Sequence, residues 1–157
     1  MKIFYHCYGG AHTSVVCAAL HLDYLPRDDI PEAAVIEAIP FYDKMEDKNI
    51  GSTVFVGTDE YGSDIYIMGM RNGREIVIPS IKSYLNEYSV SYNDILFVNA
   101  LVTLHPMTAL GGMLSRRLGF VSIGRPLSIW GIQRSYGSFV ELVGKVKQKE
   151  YNIISSP

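Results

Sequence analysis

Residues 1–14, MKIFYHCYGGAHTS, contain the signals that decide the fold. Residues 2–8 are typical of a short β-strand, the glycine pair that follows predicts a turn, and Thr13 or Ser14 can cap the helix that comes next. A helix N-terminus leaves backbone N–H groups unpaired and carries partial positive charge, and glycine lets the backbone approach a ligand closely. A strand, a glycine loop and a helix start in this order therefore predict an anion-binding site.

Strand and helix patterns alternate along the rest of the chain. The apolar, proline and glycine positions predict helices at 13–22, 31–39, 79–88, 106–118 and 135–149, and strands at 2–8, 52–57, 64–70, 94–100 and 125–131. The second and third strands predict an antiparallel hairpin, and the continuous apolar run DILFVNA at 94–100 is typical of a buried central strand. We therefore predict a single α/β domain over residues 1–157, a three-layer sandwich with a mostly parallel sheet and one antiparallel hairpin. Ligands bind at the carboxyl ends of the strands in such sheets, where the first loop lies.

Composition limits the class of protein. With 157 residues, 48% of them hydrophobic, the chain is long enough for one domain with a hydrophobic core. The net charge of −2 and the pI near 6.1 give no reason to expect a nucleic-acid partner. No apolar run approaches the length of a membrane span and no signal-peptide pattern opens the chain, so we expect a cytoplasmic protein without a membrane partner. Cys7 and Cys17 are expected to be free thiols.

Charged residues are unevenly distributed along the chain. Residues 23–64 contain eleven acidic and three basic side chains, whereas residues 116–157 contain seven basic and two acidic ones. This asymmetry is consistent with a face that attracts an anion, or with two ordinary solvated faces. Arg116, Arg117 and Arg125 are candidates to supply a guanidinium to an anion in the first loop, and surface salt bridges are the alternative.

The first loop does not match the two most familiar phosphate-binding motifs. A Walker A loop, GxxxxGK[ST], needs a lysine before the hydroxyl residue, and His12 stands there instead. GxGxxG needs a third glycine in register with Gly9 and Gly10, which is absent. The sequence therefore disfavours ordinary P-loop ATP hydrolysis, whereas a phosphate or carboxylate can still be held by the glycines together with Thr13 and Ser14.

Cys7 is a candidate nucleophile, because a thiol at a strand end that faces a helix N-terminus is activated there. Cys7, Gly10, Thr13 and Ser14 form the string C-x-x-G-x-x-T-S, which resembles the phosphocysteine loop of the IIB domains of sugar phosphotransferase systems. The outline is also similar to the C-x5-R-S loop of low-molecular-weight tyrosine phosphatases, but Thr13 stands where that loop has its arginine. A small buried thiol without a chemical role is the alternative.

His12 is the candidate for proton transfer or anion contact because it lies in the loop, with a capping or exposed histidine as the alternative. A metal site formed by His6, Cys7, His12 and His21 is not expected. Adjacent residues of a strand point to opposite faces, so His6 and Cys7 cannot both reach one ion, and no CxxC or HExxH spacing is present.

Three longer segments carry a resemblance to a known family. They are YHCYGGAHTSVVCAALHLDYLP at 5–26, FVGTDEYGSDIYIMG at 55–69 and GGMLSRRLGFVSIGRPL at 111–127. These segments resemble a family from spore-forming Firmicutes whose members are about as long as this chain and which is described as a domain of unknown function. The resemblance implies a single cytoplasmic bacterial domain, and it implies no activity, substrate or catalytic residue.

The sequence thus favours a small α/β domain that binds a phosphate-bearing small molecule or nucleotide at the first loop, with His12 and an arginine closing over the anion. If a reaction occurs, group transfer or hydrolysis at phosphorus is expected. A Cys7-dependent phosphotransferase or phosphatase-like enzyme is one alternative. A non-enzymatic interaction module that uses some of its eleven tyrosines for contact is another. The ligand, any cofactor and a homo-oligomeric state stay open.

Overall fold

The computed structural model describes residues 1–155, apart from the side chain of Asp47. Its strands are β1 (Lys2–Cys7), β2 (Thr53–Thr58), β3 (Asp64–Gly69) and β4 (Ile95–Asn99). Its α-helices are α1 (Thr13–His21), α2 (Ala33–Ala38), α3 (Arg74–Glu87), α4 (Pro106–Arg116), α5 (Val121–Arg134) and α6 (Tyr136–Ile154). Short 3₁₀ turns span Asp47–Asn49 and Ala100–Thr103. Within the described residues, no helix is both long enough and apolar enough to cross a lipid bilayer.

Within the described residues, four strands form one sheet in the order β2-β3-β1-β4. β1 is parallel to both of its neighbours, with Cys7 beside Gly69 of β3 and His6 beside Asn99 of β4, whereas β2 is antiparallel to β3. The structure therefore confirms an α/β fold with a mostly parallel sheet and one antiparallel hairpin. The connection that follows β1 leads to the side of the sheet formed by β2 and β3, whereas β4 lies on the other side of β1. The connections that follow β1 and β4 therefore diverge. Such a divergence opens a crevice at the carboxyl ends of the strands.

The main core lies between one face of the sheet and the helices α1 and α6. Ile3, Tyr5 and Cys7 alternate along β1 on this face, and Ile3 and Tyr5 are fully buried. All nine residues of α1 are buried, because small side chains such as Ala18 let the helix pack closely against both the sheet and α6. Phe139 of α6 is also fully buried, and replacing such a residue with alanine costs about 3–5 kcal/mol.

The opposite face of the sheet carries stacked aromatic rings. The ring centroid of Phe4 lies 4.8 Å from that of Tyr66 and 5.2 Å from that of Phe97. α3, which connects β3 to β4, has no buried residue, so this face is covered more thinly than the first. The prediction of residues 94–100 as a central strand is wrong, because β4 pairs with β1 alone among the described strands and lies at the edge of the sheet. Its apolar side chains are mostly half-buried.

The predicted strand at 125–131 is also wrong, because these residues belong to α5 and Pro126 lies inside that helix. Proline lacks the N–H that an interior helical position donates, and it is therefore more typical of a strand or helix start. The helix forms because the backbones of α4 and α5 pack in close contact. A Cβ atom added at Gly111 would overlap the backbone nitrogen of Ser128. The local sequence pattern at 125–131 predicts a strand because it contains no information about this contact between two helices.

The other predicted helices are present with small differences at their ends. α3 begins at Arg74 rather than at residue 79, so that Pro79 lies inside it, and α6 extends to Ile154. α1, α2 and α4 agree with their predicted bounds to within two residues. Proline, glycine and hydroxyl residues mark these ends, which is why local sequence locates them well.

Candidate functional site

A cavity of about 430 Å³ lies at the carboxyl end of β1, where the connections after β1 and β4 diverge. The loop after β1 forms one wall through Cys7, Tyr8, Gly9, Ala11, His12 and Thr13. The segment after β4 and helix α4 form the opposite wall. The cavity thus occupies the crevice expected from the strand order, and most of the first loop faces it.

Cys7 is the last residue of β1, and two hydrogen-bonding groups contact its sulfur. The Gly10 N–H donates to Cys7 Sγ at 3.1 Å, and Ser14 Oγ lies 3.1 Å from the same atom. The bend that brings these groups together needs glycine at position 10, where φ is +70° and an added Cβ would lie 2.9 Å from the Gly69 nitrogen. The structure therefore joins three predicted site residues, with Cys7 in the cavity wall and Gly10 and Ser14 behind it.

The first turn of α1 begins at this loop. The prediction that Thr13 or Ser14 caps the helix is wrong, because the N-cap residue is His12 and no side chain in the described structure accepts a capping hydrogen bond there. Ser14 Oγ is directed to Cys7 instead. The N–H groups of the first turn therefore lack a side-chain partner and, with the helix dipole, favour negative charge beside them.

Three arginines, Arg71, Arg116 and Arg117, line the cavity. Among the lining residues that the structure describes there is no aspartate or glutamate. The Arg117 guanidinium lies over the Tyr8 ring, 5.5 Å from its centroid, and its Nη2 donates to the Tyr8 hydroxyl at 2.6 Å. Arg116 Nη1 donates to the backbone oxygen of Asp43 at 3.2 Å. Although the whole chain has a net charge of −2, the side chains around this cavity are therefore positive.

Arg125, the third predicted anion-binding arginine, lies outside the cavity lining. Its Nε donates to Asp43 Oδ2 at 3.2 Å and its Nη1 donates to Glu37 Oε1 at 3.0 Å. These ion pairs hold the Arg125 guanidinium at Asp43 and Glu37, outside the cavity. Arg125 therefore affects the loop indirectly, through Asp43.

Asp43 connects the loop to α4 and α5. His12 Nε2 lies 3.1 Å from Asp43 Oδ1, and Ser115 Oγ donates to Asp43 Oδ2 at 2.5 Å. Burial alone would raise the pKa of this carboxyl, but the hydrogen bonds from His12, Ser115 and Arg125 lower it to about 2. Asp43 is therefore ionised at neutral pH and accepts the Nε2 proton of His12, which leaves Nδ1 as the second site for a proton on that ring.

Sequence reasoning identified His12 but missed Asp43. Asp43 is one of eleven acidic residues between 23 and 64, and nothing in the local pattern distinguishes it from the others. Gly112 permits α4 to approach the imidazole, since an added Cβ would lie 2.9 Å from His12 Cε1. Both contacts join segments that are far apart in the chain.

The other residues that line the cavity are mostly apolar. The apolar ones are Met45, Ile50, Leu101, Leu104, Ala109 and Met113. The lining therefore combines polar groups, from the first loop and the arginines, with apolar side chains able to contact a hydrophobic or aromatic group.

The comparisons with known proteins agree with the resemblance drawn from the sequence. The family described as Protein of unknown function (DUF3189) matches residues 2–148. No curated protein and no solved structure matches the chain. The matched residues include every residue that lines the cavity.

Proposed function

The chain belongs to the DUF3189 family of proteins of unknown function, and we propose that it binds a phosphate-bearing small molecule or nucleotide in the cavity beside β1. The observation that carries this proposal is the charge of the lining: three arginines and the start of α1 line the cavity, and no described lining residue is acidic. An anion placed there meets opposite charge on several sides.

The phosphate group would lie against the first turn of α1. Backbone N–H groups of the loop and the Thr13 hydroxyl are donors on one side, and a guanidinium can approach from α4 on the other. A guanidinium can donate two parallel hydrogen bonds to phosphate oxygens, which an ammonium cannot. Arg117 is already held by the Tyr8 ring, so less side-chain entropy is lost when it binds the anion.

The apolar side chains of the cavity lining limit the kind of group that can be attached to the phosphate. A cavity of about 430 Å³ is larger than a free phosphate needs and lies in the range of small-molecule sites. Met45, Leu104 and Met113 offer a surface for an aromatic or aliphatic group. A nucleotide or another phosphomonoester with an apolar body therefore fits better than inorganic phosphate or a fully polar sugar phosphate.

Cys7 supports a second candidate function, phosphoryl transfer. The Gly10 N–H donates to its sulfur, and the Ser14 hydroxyl lies 3.1 Å from the same atom, where it can donate to a thiolate, the nucleophilic form of cysteine. In the proposed step the thiolate attacks phosphorus, an S–P bond forms, the ester P–O bond breaks, and the leaving oxygen takes a proton from His12. Water or an acceptor hydroxyl then attacks phosphorus, returns a proton to His12 and releases Cys7. Asp43 holds the imidazole throughout and stabilises its protonated form.

A thermal-shift experiment tests the binding proposal. The ligands are matched pairs, such as AMP with adenosine and phenyl phosphate with phenol, and the variants are Arg116→Ala and, as an exposed arginine control, Arg27→Ala. We expect stabilisation by the phosphorylated member alone, about 2.7 kcal/mol at a hundred times its Kd. Arg116→Ala should weaken binding at least about tenfold, and the control should leave it unchanged. Equal shifts from both members of every pair, or no shift from any phosphate, would overturn the proposal.

A separate measurement tests the chemistry at Cys7. The protein is mixed with a phosphomonoester that binds, quenched, and examined by intact-mass spectrometry for one added phosphoryl group. We expect the adduct in the wild type and in Cys17→Ser, since Cys17 lies fully buried in α1, and no adduct in Cys7→Ser. Turnover by Cys7→Ser at the wild-type rate would reject phosphoryl transfer through this sulfur while leaving the binding proposal intact.

A further inference from the structure

A second group of polar side chains converges at the other end of α1, away from the cavity. His21 is the last residue of α1, Asp59 follows β2 in the hairpin turn, and Glu150 lies on α6. His21 Nε2 lies 2.9 Å from Asp59 Oδ2 and 3.1 Å from Glu150 Oε2, and all three side chains are fully buried. One nitrogen and two carboxylate oxygens from three separate elements thus lie within 4.8 Å of one another.

The other polar atoms of His21 and Asp59 are held by neighbours outside the cluster. The Tyr5 hydroxyl lies 2.8 Å from His21 Nδ1. Asp59 Oδ1 accepts hydrogen bonds from the N–H groups of Tyr61 and Ser63, both at 2.9 Å. These contacts orient His21 Nε2 and Asp59 Oδ2 towards the centre of the cluster. Outer hydrogen bonds of this kind accompany metal-binding histidines and carboxylates, where they fix the tautomer and the ring orientation.

Glu150 provides an independent observation. Its Oε1 atom is buried and has no hydrogen-bond partner among the residues that the structure describes. An unpartnered carboxylate oxygen in the interior is costly, and a second carboxylate, Asp59, lies close by. The ammonium group of nearby Lys147 donates to both carboxylate oxygens of Glu60, at 2.6 and 2.8 Å, rather than to Glu150 Oε1. Glu150 Oε1 is therefore a buried acceptor atom beside the cluster that the described donors leave unmatched.

We propose that His21, Asp59 and Glu150 form a binding site for one Zn²⁺ ion. Imidazole with two carboxylates is a donor set suited to zinc, whereas magnesium and calcium prefer oxygen ligands alone. Zinc ligands in a tetrahedral site at about 2.05 Å lie about 3.3 Å from one another, close to the 2.9 and 3.1 Å separations found here. Glu150 Oε1, the second oxygen of that carboxylate, can serve as the fourth donor atom to the ion. The two carboxylates neutralise the ion.

The proposed ion has a structural role rather than a catalytic one. Its ligands come from α1, the hairpin turn and α6, so it would link the C-terminal helix to the sheet and the first helix. The complete burial of the ligands leaves no open position facing solvent, as is typical of structural zinc sites. Zinc binding would therefore stabilise the folded chain, since the three ligands are not assembled in the unfolded state.

The test uses the full chain stripped with a chelator and then titrated with ZnSO₄ or, as a control, MgCl₂. Isothermal calorimetry, with thermal unfolding in parallel, should show one Zn²⁺ per chain and a raised Tm, and no effect of Mg²⁺. Glu150→Gln should abolish stoichiometric binding. Cys7→Ser should retain it, which separates this site from the thiol of the first loop. Tyr5→Phe removes the outer hydrogen bond to His21 and should lower affinity about 10–100-fold while keeping one ion per chain.

X-ray absorption on the zinc-loaded wild type keeps the proposal testable even if Glu150→Gln does not fold. We expect a first shell of nitrogen and oxygen ligands with no sulfur. Sulfur in that shell, absence of stoichiometric zinc binding by the wild type, or unchanged zinc affinity in a folded Glu150→Gln variant would each overturn the proposal. The cluster would then be a hydrogen-bonded group without a metal.

Discussion

Replacing Asp43 with asparagine should remove a large and pH-dependent part of the stability of this protein. The hydrogen bonds from His12, Ser115 and Arg125 lower the pKa of the Asp43 carboxyl from its ordinary 3.8 to about 2, against the effect of burial. A difference of this size corresponds to about 2 kcal/mol of free energy of unfolding. Because the pKa is lower in the folded than in the unfolded chain, this contribution is fully present above the ordinary value and is lost as the pH falls towards 2.

Urea unfolding of the wild type and Asp43→Asn, measured from pH 7 down to pH 2.5, tests this reasoning. We expect the variant to be less stable by at least about 2 kcal/mol at pH 7, and the difference to shrink as the pH falls. Asp28→Asn, at an exposed carboxylate, is the matched control and should stay within about 0.5 kcal/mol of the wild type. A difference between wild type and Asp43→Asn that is the same at every pH would refute the ionised network around Asp43.

Two further predictions concern the first loop. Gly10→Ala should destabilise the protein by at least about 1–2 kcal/mol in urea unfolding, because φ is +70° there and the added Cβ would lie 2.9 Å from Gly69 N. Gly9→Ala is the control and should be nearly neutral, because no atom lies within 4 Å of its added Cβ. Equal losses at the two glycines would contradict this account of the bend. Ser14→Ala should slow alkylation of Cys7 by iodoacetamide at fixed pH, because the reaction passes through the thiolate and the variant lacks the hydroxyl that can donate to it. Unchanged or faster labelling in a folded variant would show that the hydroxyl does not support the thiolate.

The parts of the fold that local sequence determines could be predicted, and those that depend on distant contacts could not. β1, the hairpin and the start of α1 follow from strand patterns, turn residues and a glycine pair that are adjacent in the chain. The prediction of a strand at 125–131, within α5, is wrong because an apolar segment beginning near Pro126 fits a strand until the close packing on Gly111 of α4 is known. The edge position of β4 depends on sheet order, which no local pattern contains.

The same distinction applies to the site. Cys7, His12 and Ser14 could be identified because a single loop contains them all. Asp43 lies 31 residues from His12, and Glu150 lies 129 residues from His21, so neither partner is visible from spacing. His21 illustrates the consequence: considered beside its neighbours in sequence it suggests no metal site, whereas the fold places it between two buried carboxylates.

The central claim is that the first loop, Arg116 and Arg117 form an anion site, and tungstate binding in a crystal tests it most directly. Crystals grown without phosphate or sulfate would be soaked with tungstate, a heavy-atom analogue of phosphate, and the anomalous signal would locate the ion. We expect a peak in the cavity beside Cys7, within hydrogen-bond distance of loop N–H groups at the start of α1 and of Arg116 or Arg117. A cavity closed by its own side chains, with tungstate bound elsewhere on the surface, would contradict it.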